Sequence, residues 1–353
     1  MSTFVRFCLV IPAYLFFLGV SVPAQADIKA VVSLKPVHSL VSLVMGDKGT
    51  VSLLVDGAAS PHTYALTPNQ ASDIQNADVV FWIGESLESF LEKPVQTIGA
   101  SARQIELLAT PGIKTLGFRE GGAFEAHGHA HARETHESHD EHKDHNDHHD
   151  HEGHDDHENH DGHNNHDGHD DHKDHDGHAH AEDGVDPHIW LSPENAKAML
   201  HHIAHVLGEI DPNHAAVFEN NAEQAITQVD RLSMAIKTEL APHKGAEFIV
   251  FHDAYHYFEE AFGLQAAGAI SINPERMPGA QRVVEIRSLL ADDHIKCVFT
   301  EPQFEAKIVR TILEGTDRKA IEIDPLGSAL PSGPGLYFEL LDAMKSSFLS
   351  CLG

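Results

Sequence analysis

Residues 125–184 contain no Val, Ile, Leu, Met, Phe, Tyr, Trp or Cys. Folding is driven mainly by burial of apolar surface. A stretch this long without a core-forming side chain is therefore expected to be disordered in the absence of metal. It lies within the chain, because 27–120 and 185–353 both carry alternating strand and helix patterns. The sequence reads as a foldable protein interrupted by a long loop at 121–184. What remains after the loop and the N-terminal segment suffices for two domains of ordinary size.

The loop concentrates the polar chemistry. Residues 121–184 hold 20 of the 31 histidines and carry 20 acidic against 3 basic residues, a net −17 of the chain's −30. A histidine recurs at every third position: His136, His139, His142, His145, His148, His151, His154, His157, His160, His163, His166, His169, His172, His175 and His178. Such a density of imidazole beside carboxylate offers many weak, exchanging sites for Zn²⁺, Cu²⁺ or Ni²⁺. The competing reading is a solvated acidic tract serving solubility, against which the histidine bias speaks. A protein this acidic presents no phosphate-neutralising surface, so no nucleic-acid partner is expected. Three cysteines cannot build a four-cysteine zinc module or a disulfide-rich scaffold.

The N-terminus has the pattern of a cleavable export signal. Arg6 supplies a positive start, residues 9–20 are almost wholly apolar, and Ala24-Gln25-Ala26 is a small-residue cleavage site. Residues 1–26 are thus expected to be removed, leaving a chain that starts at Asp27 in the periplasm. The apolar run is too short for a membrane anchor and contains Pro12. Cys8 lies too far from the cleavage site to carry a lipid, so no lipid anchor is expected. Export leaves Cys297 and Cys351, for which an oxidising compartment favours a disulfide over two free thiols. That bond would add about 4 kcal/mol in the chain-entropy model.

Hydrophobic spacing predicts strands at 28–34, 50–55, 78–84 and 104–108. Helices are expected at 35–45, from Thr67 to about Asn76, and from Ser192 to about Gly208. Asp211-Pro212 opens the longest pattern, in which Phe218, Ala222, Ala225, Val229, Leu232, Ile236 and Leu240 form one apolar face. Its 212–241 span would measure about 45 Å, long enough to run the height of two lobes. Further strands are expected at 247–251, 268–272, 297–300 and 320–324, with helices at 253–262, 279–291 and 333–349. The alternation indicates an α/β chain with parallel sheets flanked by helices. Ligands of such sheets bind beyond the C-terminal ends of the strands.

Three histidines occupy that setting. His62 follows a strand in Gly57-Ala58-Ala59-Ser60-Pro61-His62. His188 precedes a capped helix in Asp186-Pro187-His188-Ile189-Trp190. His252 ends an apolar strand and precedes Asp253-Ala254-Tyr255. A lone histidine is usually structural, but three at equivalent places form a good zinc set, completed by water or a carboxylate. Ligating histidines usually hand the second ring N–H to an acid or carbonyl; Asp253 and Glu301 are the acids expected to serve. His201 and His205, spaced i, i+4, read first as a solvent-facing pair, and His256 as a packed or exposed residue.

With these pieces the chain resembles the periplasmic solute-binding proteins of zinc ABC importers, the ZnuA type. The motifs that carry the resemblance are Asp56-Gly57-Ala58-Ala59-Ser60-Pro61-His62, Asp186-Pro187-His188-Ile189-Trp190-Leu191-Ser192-Pro193, Phe251-His252-Asp253-Ala254-Tyr255, Phe299-Thr300-Glu301-Pro302-Gln303-Phe304 and Ile323-Asp324-Pro325-Leu326-Gly327. It extends over essentially all of 27–353. It implies an N-terminal lobe (27–120 and 185–211), a rigid linking helix (212–241) and a C-terminal lobe (242–353), with the metal between the lobes. It also implies Zn²⁺ as the bound ion and a membrane permease with its cytoplasmic ATPase as partner, the chain itself being a monomer. The three ligands are carried onto His62, His188 and His252. The fourth is Asp324 or water, since the glutamate that some zinc members place before the first histidine is Pro61 here. His252 stands where manganese-type relatives have a carboxylate, and imidazole suits Zn²⁺.

Other functions fare worse. A three-histidine hydrolase is conceivable, but neither His-Glu-x-x-His nor Gly-x-Ser-x-Gly occurs, so no enzyme is expected. A periplasmic zinc store acting mainly through the loop is the alternative reading. No sequence feature supports adhesion.

Overall fold

The computed structural model describes residues 27–119, 124, 184–272, 274 and 276–353. The expected signal segment and the histidines of the 136–178 repeat lie outside the described residues.

The first sheet is built from β1 (Ile28–Leu34), β2 (Gly49–Val55), β3 (Val79–Trp82) and β4 (Arg103–Glu106). All pairs are parallel and the order is β2-β1-β3-β4. The connecting helices are α1 (Lys35–Met45), α2 (Pro68–Gln75) and α3 (Ser89–Thr97). The second sheet contains β5 (Glu247–His252), β6 (Gln265–Ser271), β7 (Ile295–Thr300) and β8 (Lys319–Glu322). It repeats the arrangement, parallel throughout, in the order β6-β5-β7-β8. Its helices are α6 (His256–Phe262), α7 (Ala280–Leu289) and α8 (Lys307–Leu313), and α9 (Leu336–Leu352) closes the chain. Between the sheets run α4 (Pro193–Ile210) and α5 (Ala215–Leu240).

Local chemistry sets several of these ends. Thr67 caps α2 with a full capping box: its Oγ1 accepts the Gln70 N–H while Gln70 returns a bond to the Thr67 N–H, satisfying donors that the helix leaves orphaned. Ser192 caps α4 by accepting the Asn195 N–H. Gly263 ends α6 with φ +72°, a left-handed backbone that glycine adopts without a Cβ penalty.

Three differences from expectation stand out, and two have a local physical cause. Helix α3 was not legible because Pro94 lies inside it and interrupts the pattern. Helix α4 continues to Ile210, two residues past Gly208. The long helix starts at Ala215 instead of Pro212, because Asp211 Oδ1 accepts the Asn213 N–H at 3.1 Å and holds 211–214 as a turn. Its 26 residues still span about 39 Å. The expected face is buried at Phe218, Ala222, Ala225, Val229, Ile236 and Leu240. It packs on α1 and α4 beside the first sheet and on α6 and α9 beside the second.

The outer face of the first sheet is covered by α2 and α3, through Ile74, Leu91 and Val95. That of the second is covered by α7 and α8, through Ile286, Val309 and Ile312. The inner faces share one continuous apolar cluster with α1, α4, α5 and α9. Polar bonds cross the same seam. Buried Lys35 donates from Nζ to the carbonyls of Ser328 at 3.0 Å and Leu330 at 2.6 Å. Ser39 Oγ donates to the Pro334 carbonyl at 2.9 Å, and Trp190 Nε1 to the Pro325 carbonyl at 2.8 Å. Cys297 in β7 and Cys351 in α9 form a disulfide, with Cα atoms 5.5 Å apart. Among the described residues no helix is long and apolar enough to cross a membrane.

Candidate metal centre

Each of the three histidines is placed by an element end. His62 sits in the one-turn helix Pro61–Thr63 that follows β2. His188 precedes the turn Ile189–Leu191 that leads into α4. His252 is the last residue of β5. The two parallel sheets thus bring three separate loops to one point beyond their strand ends.

One nitrogen of each ring lies within 4.8 Å of one nitrogen of each of the others. The ring centroids are 5.6 Å (His62–His188), 5.8 Å (His62–His252) and 5.3 Å (His188–His252) apart. A tetrahedral zinc with Zn–N of about 2.0–2.1 Å needs nitrogens about 3.3 Å apart, so a small contraction completes the geometry. His188 and His252 are buried. The Nε2 atoms of His62 and His252 are enclosed and have no hydrogen-bond partner among the described residues. Buried polar atoms are nearly always satisfied, so these orphaned acceptors fit a cation.

Two buried acids stand behind the cluster. His188 Nδ1 lies 2.7 Å from Asp186 Oδ1, and His252 Nδ1 lies 2.8 Å from Glu301 Oε1. With Nδ1 held by a carboxylate, the Nε2 of each ring is the atom left for a metal. The electrostatics separate the three rings. Burial and the neighbouring imidazoles hold His62 well below the usual histidine range. Burial and His252 do the same for His188. At His252 burial also favours the neutral ring, but the charge and hydrogen bond of Glu301 outweigh it and raise the pKa. Burial pushes the Asp186 carboxyl up to about 8.

The remaining sequence candidates fall elsewhere. Asp324 is not in the cluster. Its Oδ1 accepts from Gln303 Nε2 at 2.8 Å and the Leu326 N–H at 3.0 Å, and its Oδ2 from Ser328 Oγ at 2.7 Å. Of the two acids expected behind the ligands, Glu301 takes that role, while Asp253 pairs with Arg119. His201 and His205 face solvent beside Glu223 and Glu209. His256 is not among the clustered rings. Asp186 and Arg119 were missed by sequence reasoning. Asp186 was legible in principle as an acid two residues before a ligand; Arg119 gave no local signal.

Two parallel-sheet lobes with a three-imidazole cluster between them form a site that could hold a metal ion. Residues 30–351 match the family model ZnuA, zinc-uptake complex component A periplasmic. The high-affinity zinc uptake system protein ZnuA of Brucella abortus (strain 2308) is 45% identical over 336 residues, covering 95% of each chain. That of Paracoccus denitrificans (strain Pd 1222) is 38% identical over 335 residues, covering 94% of each. A crystal structure of ZnuA shares the fold at TM-score 0.68 and 21% identity, covering 93% of this chain and all of that one. The chain belongs to the ZnuA family, whose members are periplasmic zinc-uptake components.

Proposed function

We propose that this chain, the solute-binding component of a zinc ABC importer, takes its cargo ion at His62, His188 and His252. The observation that carries the assignment is the convergence of three imidazoles, two of which, His62 and His252, have orphaned, buried Nε2 atoms. Asp186 and Glu301 orient the rings and raise their basicity. Water completes the tetrahedron, because both oxygens of Asp324 are already hydrogen-bonded; Asp324 is the alternative fourth ligand. The loaded protein then presents zinc to the membrane permease, whose ATPase drives import. Transport, not catalysis, is the activity.

Residues 1–26 act as a cleaved export signal, and the mature chain works as a monomer without a lipid anchor. The histidines of the 136–178 repeat bind further Zn²⁺ as accessory sites. The competing reading, a zinc store acting mainly through that segment, is decided by one titration. Mature protein lacking 121–184 is titrated with zinc against a tight chelator. One ion held at nanomolar strength or tighter, and lost on replacing His62, His188 or His252 by Ala, supports the importer site. Collapse to micromolar binding would make the segment the principal binder and move the storage reading ahead.

A further inference from the structure

The residues that enter the 121–184 insertion come from the first lobe but are fastened to the second. The Leu116 N–H donates to Tyr257 Oη at 3.0 Å, and the Phe124 N–H donates to the Ala267 carbonyl at 2.9 Å. Phe118 and Gly184 are joined by a backbone bond of 3.2 Å beside an antiparallel bridge between Gly117 and Val185.

Arg119 is the centre of this attachment. Its Nε donates to both oxygens of Asp253, at 2.9 and 3.1 Å, and its Nη2 also contacts Oδ1. Its Nη1 donates to Glu259 Oε2 at 2.7 Å and its Nη2 to Glu259 Oε1 at 3.0 Å. The guanidinium lies 4.1 Å from the centre of the Phe124 ring. All three charged side chains are largely out of solvent, with 12% (Arg119), 14% (Asp253) and 3% (Glu259) exposed. A rigid fork of five donors is the side chain suited to hold two carboxylates at once.

Asp253 directly follows His252, and its charge acts on both His252 and His188. The acids behind these two ligands, Asp186 and Glu301, are already committed to ring nitrogens. Asp253, next in sequence to a clustered histidine, is therefore an acid whose own carboxylate is held by a cation and not by a histidine. Released, it would offer a hard oxygen donor to a site otherwise built from imidazole. Carboxylate favours Mn²⁺ and similar hard ions relative to Zn²⁺.

We propose that Arg119 is a specificity-determining residue: by chelating Asp253 it keeps a carboxylate away from the three-imidazole cluster, so that the ion meets nitrogen donors from the protein. This rests on the reading that the three histidines take the metal.

The test uses the full mature chain and R119M, R119K, D253N and R119M/D253N. Zn²⁺ affinity is measured by chelator competition and Mn²⁺ affinity by spin-resonance titration, with H188A run in parallel to subtract uptake elsewhere. R119M is expected to narrow the Zn²⁺-over-Mn²⁺ ratio by about tenfold or more, in line with outer-shell effects at metal sites. R119M/D253N should restore the ratio, and D253N alone should shift Zn²⁺ and Mn²⁺ affinity in the same direction, leaving their ratio close to the parent's. A folded R119M with an unaltered ratio, or a double variant that fails to restore it, overturns the proposal. So does a D253N that weakens zinc tenfold, because Asp253 would then already serve the ion. If R119M does not fold, R119K decides: its ammonium cannot span both acids, so its ratio must shift in the same direction. Loss of the site reading is a separate result, seen as H188A binding zinc like the parent.

Discussion

Asp186 grips His188 twice from two residues away: its Oδ1 accepts the His188 backbone N–H at 3.0 Å and lies 2.7 Å from the ring Nδ1. Loop and ring are thus set by one carboxylate oxygen. Replacing Asp186 by Asn keeps the shape but removes the ionisable carboxyl that can take up the charge when the ring binds a cation. D186N is expected to weaken zinc about 10–100-fold, with E301Q behaving alike at His252. Chelator competition on folded variants checks this; parent-like affinity in both would remove the outer acids from the site.

The three rings should not compete equally with protons. Metal needs neutral imidazole. His62 and His188 are held neutral far below pH 6.5, whereas His252 is raised. Zinc affinity should therefore rise with pH as the His252 ring loses its proton, and this dependence should weaken in E301Q, where the raising carboxylate is gone. Titrations at stepped pH measure it. A slope near three would mean that all the rings titrate together.

Glu88 gives an acid-side prediction for stability. It is fully buried, its Oε2 accepts the Ile83 and Gly84 N–H groups at 3.0 Å, and burial pushes its carboxyl up to about 7. The folded state holds this proton above the unfolded pKa of about 4.3. Its contribution is fully present below that value and is lost as pH rises through about 7, by about 3 kcal/mol. E88Q should therefore gain on the parent between pH 5 and 8 in denaturant unfolding. A constant difference across that range would show that Glu88 does not titrate there.

The Cys297–Cys351 bond closes a 54-residue separation. C351S, or reduction of the parent, should cost about 2–5 kcal/mol while leaving zinc affinity within a few-fold, since neither cysteine belongs to the clustered group. Thermal unfolding with and without reductant reads this. Loss of metal binding at a temperature where the variant stays folded would link α9 to the site.

Lobe motion should be small. The apolar cluster is continuous through both lobes and Lys35 reaches across to Ser328 and Leu330. Scattering profiles with and without zinc should nearly superimpose. A marked fall in radius on loading would indicate clamshell closure and contradict the shared core.

The three clustered histidines were legible as candidates because each stands at a strand end or before a capped helix start; one alone is weak evidence, and it was the set of three together with the family motifs that marked them. The long helix was legible through the spacing of Phe218, Ala222, Ala225 and Val229. Its start was not, because Asp211 binds Asn213 and sets the turn through a side chain that no periodicity reports. Arg119 was invisible for a stronger reason. Its partners lie 134 and 140 residues away, so only the docking of one lobe's chain on the other creates the pairing. The tethering of Asp324 by Gln303 and Ser328 is equally a product of tertiary placement.

The bridge between Gly117 and Val185 has a consequence for how such a chain can change over time. The two ends of the insertion are hydrogen-bonded neighbours, so whatever lies between them closes a ring whose entropic cost grows only with the logarithm of its length. Doubling the insertion costs about 0.6 kcal/mol, less than one ordinary core substitution. Residues can be gained or lost between these two ends without moving a strand, which leaves the length of the segment almost freely adjustable while the three clustered rings keep their places.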